Sequence, residues 1–297
     1  AISIFVLLWA SFFLIKLNFL EKLSKKYKFS KELISIVVSL VALILIVLIV
    51  LGPGFIMIHI YQIRVSLINP QPSRFGLTVA ENKEPFFIND WKDNFGPLVQ
   101  NIPLFFWLLF IGSIVLFYSM MEKLNKKERM IITFSYFIFL ICLIFSKYSS
   151  GSILDGTSGL SILLYFGGSL FFIGTFGYYY HKRCEKEEFS VFKEINFTYI
   201  FYFILFVMSI VGARFGIRFM MLLGSISPIA ISFLIVKSAN RYINEKEDVA
   251  KLFFGGIALI IIIASIFTSW NYYQSDIAVG SNYAPSAYNI QWQNAMA

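Results

Sequence analysis

Few residues in this 297-residue sequence combine a reactive side chain with a setting that suggests chemistry, since only 14% of them are charged. One candidate is the segment TVAE, from Thr78 through Val79 and Ala80 to Glu81, which lies in a long polar stretch. A hydroxyl residue three positions before a glutamate is also an ordinary helix capping box, and most loop glutamates are only solvated. The spacing alone therefore does not identify a catalytic glutamate.

The second candidate is Arg218, which lies about one helical turn inside an apolar run. An arginine at membrane depth is costly enough to suggest a function, although a side chain that snorkels to the lipid headgroups is the structural alternative. Arg214 precedes it by four residues, a spacing that would place both side chains on one helix face. The two histidines, His59 and His181, follow different predicted spans and lie toward opposite predicted sides of the membrane. The sequence therefore predicts no metal-binding pair of histidines and no catalytic dyad.

The elements that must position these residues are membrane spans. With 58% hydrophobic residues and a mean hydropathy of +0.73, the chain carries more apolar surface than one water-soluble core of this length could bury. Apolar runs of about 20 residues are typical of helices that cross a bilayer. The sequence therefore predicts an all-α, polytopic transmembrane domain over residues 1–270, with about eight spans. They lie near residues 1–20, 33–51, 102–121, 130–146, 159–180, 196–213, 217–236 and 252–270.

The distribution of basic residues predicts which connections between the spans face the cytoplasm. A net charge of +8 could indicate a nucleic-acid partner, but the basic residues cluster in every second connection, which indicates membrane lipids and no nucleic acid. Because Lys and Arg are enriched in cytoplasmic loops, these connections are predicted to be cytoplasmic in a multi-pass protein of the cell membrane. The connections 63–101, 147–158 and 214–216 and the tail from Asn271 are then extracytoplasmic. The basic set is Lys22, Lys25, Lys26, Lys28, Lys31, Lys123, Lys126, Lys127, Arg129, Lys182, Arg183, Lys186, Lys193, Lys237, Arg241, Lys246 and Lys251.

The connection 63–101 is longer than a simple helix turn requires, and such loops are commonly functional or disordered. Before it, Gly52, Pro53 and Gly54 are predicted to break the second span, because proline removes a backbone donor and glycine loosens the helix. They do not predict a phosphate-binding loop, since the Lys and the following Ser or Thr of such a loop are absent. Five aromatic residues near the predicted outer boundary are expected to anchor at the membrane interface, with contact to a bound lipid or sugar as the alternative: Trp91, Trp270, Tyr272, Tyr273 and Trp292.

Three segments on the predicted outer side resemble the catalytic subunits of archaeal, AglB-type oligosaccharyltransferases, over the chain from about residue 33 onward. TVAENKEPFFINDW at 78–91 resembles the family's external-loop motif. ARFGIRFMMLLGSISPIA at 213–230 resembles its late transmembrane helix. PSAYNIQWQNAMA at 285–297 is similar to the segment that leads into its extracytoplasmic domain. The three matches occur in the family's order, which makes them more specific together than any one alone.

The resemblance implies a GT-C-type glycosyltransferase fold and a part in protein N-glycosylation. Such enzymes transfer an oligosaccharide from a lipid-linked (pyro)phosphate donor to the Asn of N-x-S/T in an acceptor polypeptide. It implies that Glu81 binds Mn²⁺ or Mg²⁺, hard ions that prefer oxygen ligands, and accepts a hydrogen bond from the acceptor amide. It also implies that Arg218 binds the donor phosphate, and we infer from the spacing that Arg214 assists.

The sequence is expected to be part of a longer chain, because it enters an apolar segment at Ala1 and the family's other acidic ligands precede the matched region. On that expectation residues 271–297 begin an extracytoplasmic segment, and the fragment alone does not catalyse transfer. Two alternatives stay open. A secondary transporter would also have broken helices and buried charges, although no internal repeat is found. A non-catalytic membrane assembly subunit would explain why only one acidic candidate is present.

Overall fold

The computed structural model describes residues 29–68, 85–91, 104–185, 192, 194–214 and 216–283. Over these residues the chain is helical and contains no β-strand, which confirms the all-α prediction for them. Seven α-helices lie in the described ranges, and a short π-helix, Phe87–Trp91, precedes the second of them. The α-helices are α1 (Lys31–Ile68), α2 (Phe105–Met120), α3 (Lys126–Phe145), α4 (Gly159–Glu185), α5 (Phe197–Ala213), α6 (Ile217–Asn244) and α7 (Asp248–Tyr283).

Five of these helices contain a stretch long and apolar enough to cross a membrane, and α2 and α5 are shorter apolar helices. A helix therefore occurs at each predicted span from the second to the eighth, while the first, residues 1–20, lies outside the described residues. The five stretches are Leu33–Ile58, Lys126–Phe145, Gly159–Arg183, Leu222–Asn244 and Asp248–Ala278.

Apolar side chains on the outer surface support a membrane environment. Ile49 on α1 and Val249 on α7 are each 82% exposed, and many further isoleucines and leucines on the two helices are more than half exposed. Water-soluble proteins rarely expose contiguous apolar patches of this extent. The described helices therefore indicate a multi-pass membrane protein.

Helix α1 is broken where the sequence predicts it. Gly52 has φ 77° and ψ 164°, a left-handed φ that residues with a Cβ rarely adopt, and Pro53 follows inside the helix. The helix then continues to Ile68. The predicted interruption is confirmed.

The chain divides into two compact units. Unit 1 comprises Ala1–Pro72, Met121–Cys142 and Gly156–Asn196, and unit 2 comprises Ser73–Met120, Leu143–Asp155 and Phe197–Ala297. In unit 1, α3 and α4 approach closely at Gly168, because a Cβ at this position would lie 2.4 Å from the Cβ of Cys142. Small residues permit such close helix approach in membranes.

One end of unit 1 joins three lysine-rich connections. Arg183, near the end of α4, donates hydrogen bonds from Nε and Nη2 to Oε2 of Glu128, in the first turn of α3, at 3.0 and 2.5 Å. The hydroxyl groups of Ser30, just before α1, and Tyr180 are 2.6 Å apart. These contacts bring the three connections together at one end of unit 1.

In unit 2, helix α6 packs against α2, α5 and α7. A Cβ added to Gly112 of α2 would lie 2.6 Å from the carbonyl oxygen of Ala230, so these two backbones nearly touch. Pro228 has no N–H to offer the carbonyl of Gly224, and the hydroxyl of Ser227 donates to that carbonyl instead, at 2.8 Å. Helix α6 thus continues through its proline.

Candidate functional site

Three connections of unit 2 meet at one end of that unit. They are the segment Pro85–Trp91, which we call the loop anchor, residues 146–155 after α3, which we call the hairpin loop, and Arg214 in the turn between α5 and α6. Each belongs to a connection that the charge pattern predicts to be extracytoplasmic. Polar and charged side chains otherwise scattered along the sequence are brought together here.

The loop anchor is a single, internally bonded helical turn. The carboxylate of Asp90 accepts a hydrogen bond from the backbone N–H of Phe86 at 2.8 Å, and the N–H of Asp90 donates to the Phe86 carbonyl at 2.9 Å. The N–H of Trp91 reaches the same carbonyl at 3.4 Å, which is the wider spacing of a π-helix.

Aromatic packing fixes the loop anchor to the protein. Phe87 is 6% exposed, and its ring centroid lies 4.5 Å from that of Phe145 and 5.4 Å from that of Phe106. Trp91 is 4% exposed and packs edge-on against Phe106. Burial of each such side chain stabilises the docked segment by about 1.5–3 kcal/mol. The prediction that Trp91 anchors at the membrane interface is wrong, because its ring is buried inside the protein.

Backbone hydrogen bonds dock the loop anchor on the hairpin loop. The N–H of Phe87 donates to the carbonyl of Lys147 at 2.9 Å, and the N–H of Ile88 donates to the carbonyl of Tyr148 at 3.2 Å. An antiparallel bridge pairs Lys147 with Asp155 and closes the hairpin loop. The segment that directly follows TVAENKE in sequence is therefore held at residues 147–148.

Arg214 ties the end of α3 to the α5–α6 turn. Its guanidinium, in a side chain only 6% exposed, donates from Nη1 to the carbonyl of Leu143 at 3.2 Å and to Oγ of Ser146 at 2.5 Å. The hydroxyl of Ser146 also donates to the Leu143 carbonyl, at 3.1 Å. This carbonyl is one of the last four of a helix, which lack partners within the helix, and a cation there also favours the helix dipole. Arg214 is thus a buried C-terminal cap of α3.

Lys147 is the second buried cation of the site. It is 6% exposed, and its Nζ lies 5.6 Å from the ring centroid of Phe86 in the loop anchor. Burial, assisted by the positive charge of Arg214, lowers the pKa of Lys147 to about 7, although the carboxylate of Asp155 acts in the opposite direction. Both protonation states of its amine are therefore accessible near neutral pH.

The predicted site residues are only partly within the described chain. Arg218 lies in the first turn of α6, but its side chain is outside the described part. The expectation that Arg214 shares a helix face with it is wrong, because Arg214 lies in a turn and Gly216 is extended, with φ −176° and ψ 142°. The external-loop motif, Thr78, Val79, Ala80 and Glu81, lies outside the described residues.

The resemblance places the metal ligand at Glu81, which lies outside the described residues. Among the described residues, no three His, Cys, Asp or Glu side chains are grouped to hold a metal ion. Asp90 accepts the backbone N–H of Phe86, and Asp155 stands across the bridge from Lys147.

Sequence reasoning passed over Lys147, Ser146 and Asp155. Lys147 had one available signal, since it is a basic residue directly after an apolar run, in a connection that the charge pattern predicts to be outside. Ser146 and Asp155 carry no such signal, because their roles depend on pairings that no local sequence motif marks. The partner of Ser146, Arg214, follows it by 68 residues.

A cavity of about 480 Å³ lies in unit 2 among α2, α6 and α7. Its volume falls within the range of ligand-binding pockets, about 300–1,000 Å³. The hydroxyl groups of Ser265 and Thr268 donate to carbonyls of their own helix at 2.7 Å, so these polar groups are already satisfied. The apolar part of the wall comes from Phe105, Leu108, Pro228, Ile231 and Ile235, and further hydroxyl groups come from Ser225, Ser232, Ser269 and Tyr272.

Comparison with known proteins assigns no family to this chain. Neither protein-family models, nor curated proteins, nor solved structures give any match to it.

Proposed function

We propose that this chain is part of an oligosaccharyltransferase that transfers a lipid-linked oligosaccharide to the Asn of N-x-S/T in an acceptor polypeptide. The observation that carries the proposal is the docking of the loop anchor beside Lys147 and Arg214. Glu81 precedes Pro85 by four residues, and four residues of chain span at most about 14 Å. A docked anchor limits how far the TVAE motif can lie from this polar site.

Glu81 carries the proposed chemistry at the acceptor. An amide nitrogen is a poor nucleophile because its lone pair is delocalised into the carbonyl, and a carboxylate that accepts its hydrogen bond helps to orient it for attack. In this proposal Glu81 is also one ligand of Mn²⁺ or Mg²⁺, which when bound would stabilise negative charge on the leaving phosphate. Further acidic ligands come from parts of the enzyme beyond this chain.

Arg218 is the proposed contact for the donor phosphate. Its backbone lies in the first turn of α6, where helical N–H groups and the positive end of the helix dipole favour an anion. A guanidinium that makes two parallel hydrogen bonds suits a phosphate. Arg214 is already bonded to Leu143 and Ser146, so we now assign it a supporting role at the same site.

The cavity among α2, α6 and α7 supports a lipid-linked donor as the substrate. The apolar part of its wall and its volume of about 480 Å³ give room for part of a hydrocarbon chain. Phe105 of α2 lines the cavity, and its neighbour Phe106 packs against the loop anchor. The donor's lipid portion would therefore enter beside the polar site.

The proposed sidedness places this site outside the cytoplasm. Helix α3 has 20 residues and rises about 30 Å, so its two ends reach opposite faces of a bilayer. Its start carries Lys126, Lys127 and Arg129, and its end carries the carbonyl that Arg214 binds. Since basic residues favour the cytoplasmic face, the end with Arg214 is extracytoplasmic in this proposal.

Transfer by the full-length enzyme tests the proposal. Glycosylation of an N-x-T peptide with a lipid-linked donor would be measured for the unchanged enzyme, for Glu81→Gln and for the matched control Glu84→Gln in the same loop. Glu81→Gln should lower turnover by about 100-fold or more, and Glu84→Gln should leave it within about twofold. Unchanged turnover by a folded Glu81→Gln enzyme would show that Glu81 is not catalytic. The resemblance of the external loop would then no longer support the proposed function.

The secondary transporter remains the second candidate, and the break in α1 is what favours it. Discontinuous helices such as the one at Gly52 and Pro53 form the substrate sites of many transporters. A transporter would move a solute across proteoliposome membranes and would give no peptide glycosylation with either loop variant. The transfer assay therefore separates the two candidates.

A further inference from the structure

Helices α6 and α7 hold two basic side chains over aromatic rings, close to the turn that joins the helices. The guanidinium carbon of Arg241 in α6 lies 5.1 Å from the ring centroid of Phe254 in α7. The Nζ of Lys251 in α7 lies 5.6 Å from the ring centroid of Tyr242 in α6. A Cβ added to Gly255 would lie 2.9 Å from the Tyr242 ring, so this ring packs directly on the α7 backbone. Crossed cation–π contacts therefore hold both cations on one seam between the helices.

The spacing along α7 places this seam at the level of lipid headgroups. Lys251 precedes Trp270 by 19 residues, which rise about 29 Å in an α-helix, close to the thickness of the hydrocarbon core of a bilayer. Trp270 and Tyr273 are both exposed, as aromatic residues at a membrane interface are. When these two rings lie at one interface, Lys251 and its neighbour Arg241 lie at the other.

The acidic residues of the turn lie farther from the membrane than the two cations. Glu245, Glu247 and Asp248 stand at the tip, between the end of α6 and the first turn of α7. Arg241 is one helical turn before this tip, and Lys251 is about one turn after it. Nε of Arg241 lies 3.5 Å from the Glu245 carboxylate, yet the Arg241 side chain stays 65% exposed. A phosphate at headgroup level would therefore meet the two cations before the carboxylates.

Exposed apolar side chains lie next to the cations in both helices. Leu252 and Phe253 directly follow Lys251 and are 77% and 64% exposed, and Ile243 near Arg241 is 66% exposed. A surface that combines cations at headgroup level with exposed apolar side chains suits an amphiphile with an anionic head and hydrocarbon chains.

We propose that the seam formed by Arg241, Tyr242, Lys251 and Phe254 binds the phosphate of an acidic phospholipid, whose acyl chains lie along the exposed apolar side chains of α6 and α7. The guanidinium and the ammonium both donate charge-assisted hydrogen bonds to the phosphate oxygens. Basic pockets between transmembrane helices bind acidic headgroups in this way, and each basic residue raises the affinity by about fivefold. The inference does not rest on the proposed function, because the seam lies at the opposite end of α6 from Arg214.

Photo-crosslinking in lipid nanodiscs tests the proposal. The whole chain would be embedded in phosphatidylcholine with a small fraction of phosphatidylglycerol that carries a diazirine on one acyl chain, and the adducts would be located by peptide mass spectrometry. Adducts should concentrate on peptides that contain residues 249–253, and diazirine-bearing phosphatidylcholine should give about fivefold fewer adducts there. Equal labelling by the two lipids would overturn the proposal, even if every variant failed to fold.

Three variants separate a binding site from the general charge of the turn. Arg241→Gln and Lys251→Gln should each lower the phosphatidylglycerol adducts at the seam by about fivefold. The matched control Lys246→Gln removes one charge from the tip of the same turn and should leave these adducts within about twofold. Equal losses in all three variants would overturn the site, because overall charge would then explain the labelling.

A competition experiment distinguishes a lipid headgroup from free phosphate. Inorganic phosphate should lower the adducts at the seam no more than sodium chloride does at the same ionic strength, because the acyl chains contribute to binding. Selective displacement by inorganic phosphate would assign the seam to a soluble phosphate and overturn the lipid proposal. None of these results depends on the transfer assay, so failure of this inference and failure of the proposed function are distinguishable.

Discussion

Replacement of Arg214 by methionine tests whether the guanidinium of Arg214 holds the end of α3 to the α5–α6 turn. Methionine keeps much of the apolar length of arginine and removes the guanidinium. In the structure this group is buried and binds the carbonyl of Leu143 and the hydroxyl of Ser146, at 3.2 and 2.5 Å. The change therefore removes two charge-assisted hydrogen bonds and the cation at the C-terminal end of α3.

The expected loss is about 3 kcal/mol in the free energy of unfolding, from two charge-assisted hydrogen bonds and a cation at a helix end. A hydrogen bond from a charged group contributes about 1.5–3 kcal/mol, and a cation at a helix C-terminus adds about 0.3–1 kcal/mol or more when buried. Two effects reduce the total. The Leu143 carbonyl keeps its hydrogen bond from Ser146, at 3.1 Å, and loss of Arg214 relieves its repulsion of Lys147.

Equilibrium unfolding in mixed detergent micelles would measure this loss, alongside two graded variants. Arg214→Lys keeps the charge but not the planar fork, so about half of the loss is expected. Ser146→Ala removes one acceptor and should cost less than Arg214→Met, since Arg214 keeps the Leu143 carbonyl. An Arg214→Met chain within about 0.5 kcal/mol of the unchanged chain would refute the idea that this contact holds α3 to the turn.

Two further predictions concern unit 1. Gly168→Ala should destabilise the chain by about 1–3 kcal/mol in thermal unfolding, because the new Cβ would lie 2.4 Å from the Cβ of Cys142. The control Gly167→Ala, whose Cβ would have nothing within 4 Å, should be neutral or slightly stabilising. Equal effects of the two changes would contradict the close approach of α3 and α4. Glu128→Gln should cost about 3 kcal/mol in the same assay, because it leaves the nearly buried Arg183 without its carboxylate, and a loss below about 1 kcal/mol would mean that this pair is solvated.

The membrane helices are the part of the fold that the sequence could predict. Span positions follow from uninterrupted apolar runs, which give a strong local signal because only lipid tolerates so much apolar surface. The break at Gly52 was equally predictable, since a proline and a glycine act on the backbone locally. The contacts of Glu128 and Tyr180 bring the connections near Lys31, Lys126 and Arg183 together, and their side of the membrane stays a prediction from charge.

The site could be predicted only in part. Arg214 was singled out for its charge, but its partner Ser146 is 68 residues away and no local spacing reveals such a contact. The helix-face argument for Arg214 failed because it assumed a continuous helix across Gly216, which is extended. The prediction for Trp91 was wrong because an aromatic residue near a span can either anchor at the membrane interface or be buried in the protein. Only the contact with Phe106, which the sequence does not reveal, distinguishes the two.

The location of the site relative to the membrane tests the central claim most directly, because a lipid-linked oligosaccharide donor is used at the outer face in this account. Single cysteines would replace Ile153, which is 75% exposed in the hairpin loop, and the exposed Asn125, beside the lysine-rich start of α3, in a full-length protein whose Cys142 and Cys184 are replaced. Labelling of cells with a membrane-impermeant maleimide should modify the cysteine at position 153 in intact cells, and the one at position 125 only after permeabilisation. The reverse pattern would place Lys147, Arg214 and the loop anchor in the cytoplasm and would contradict the proposed function.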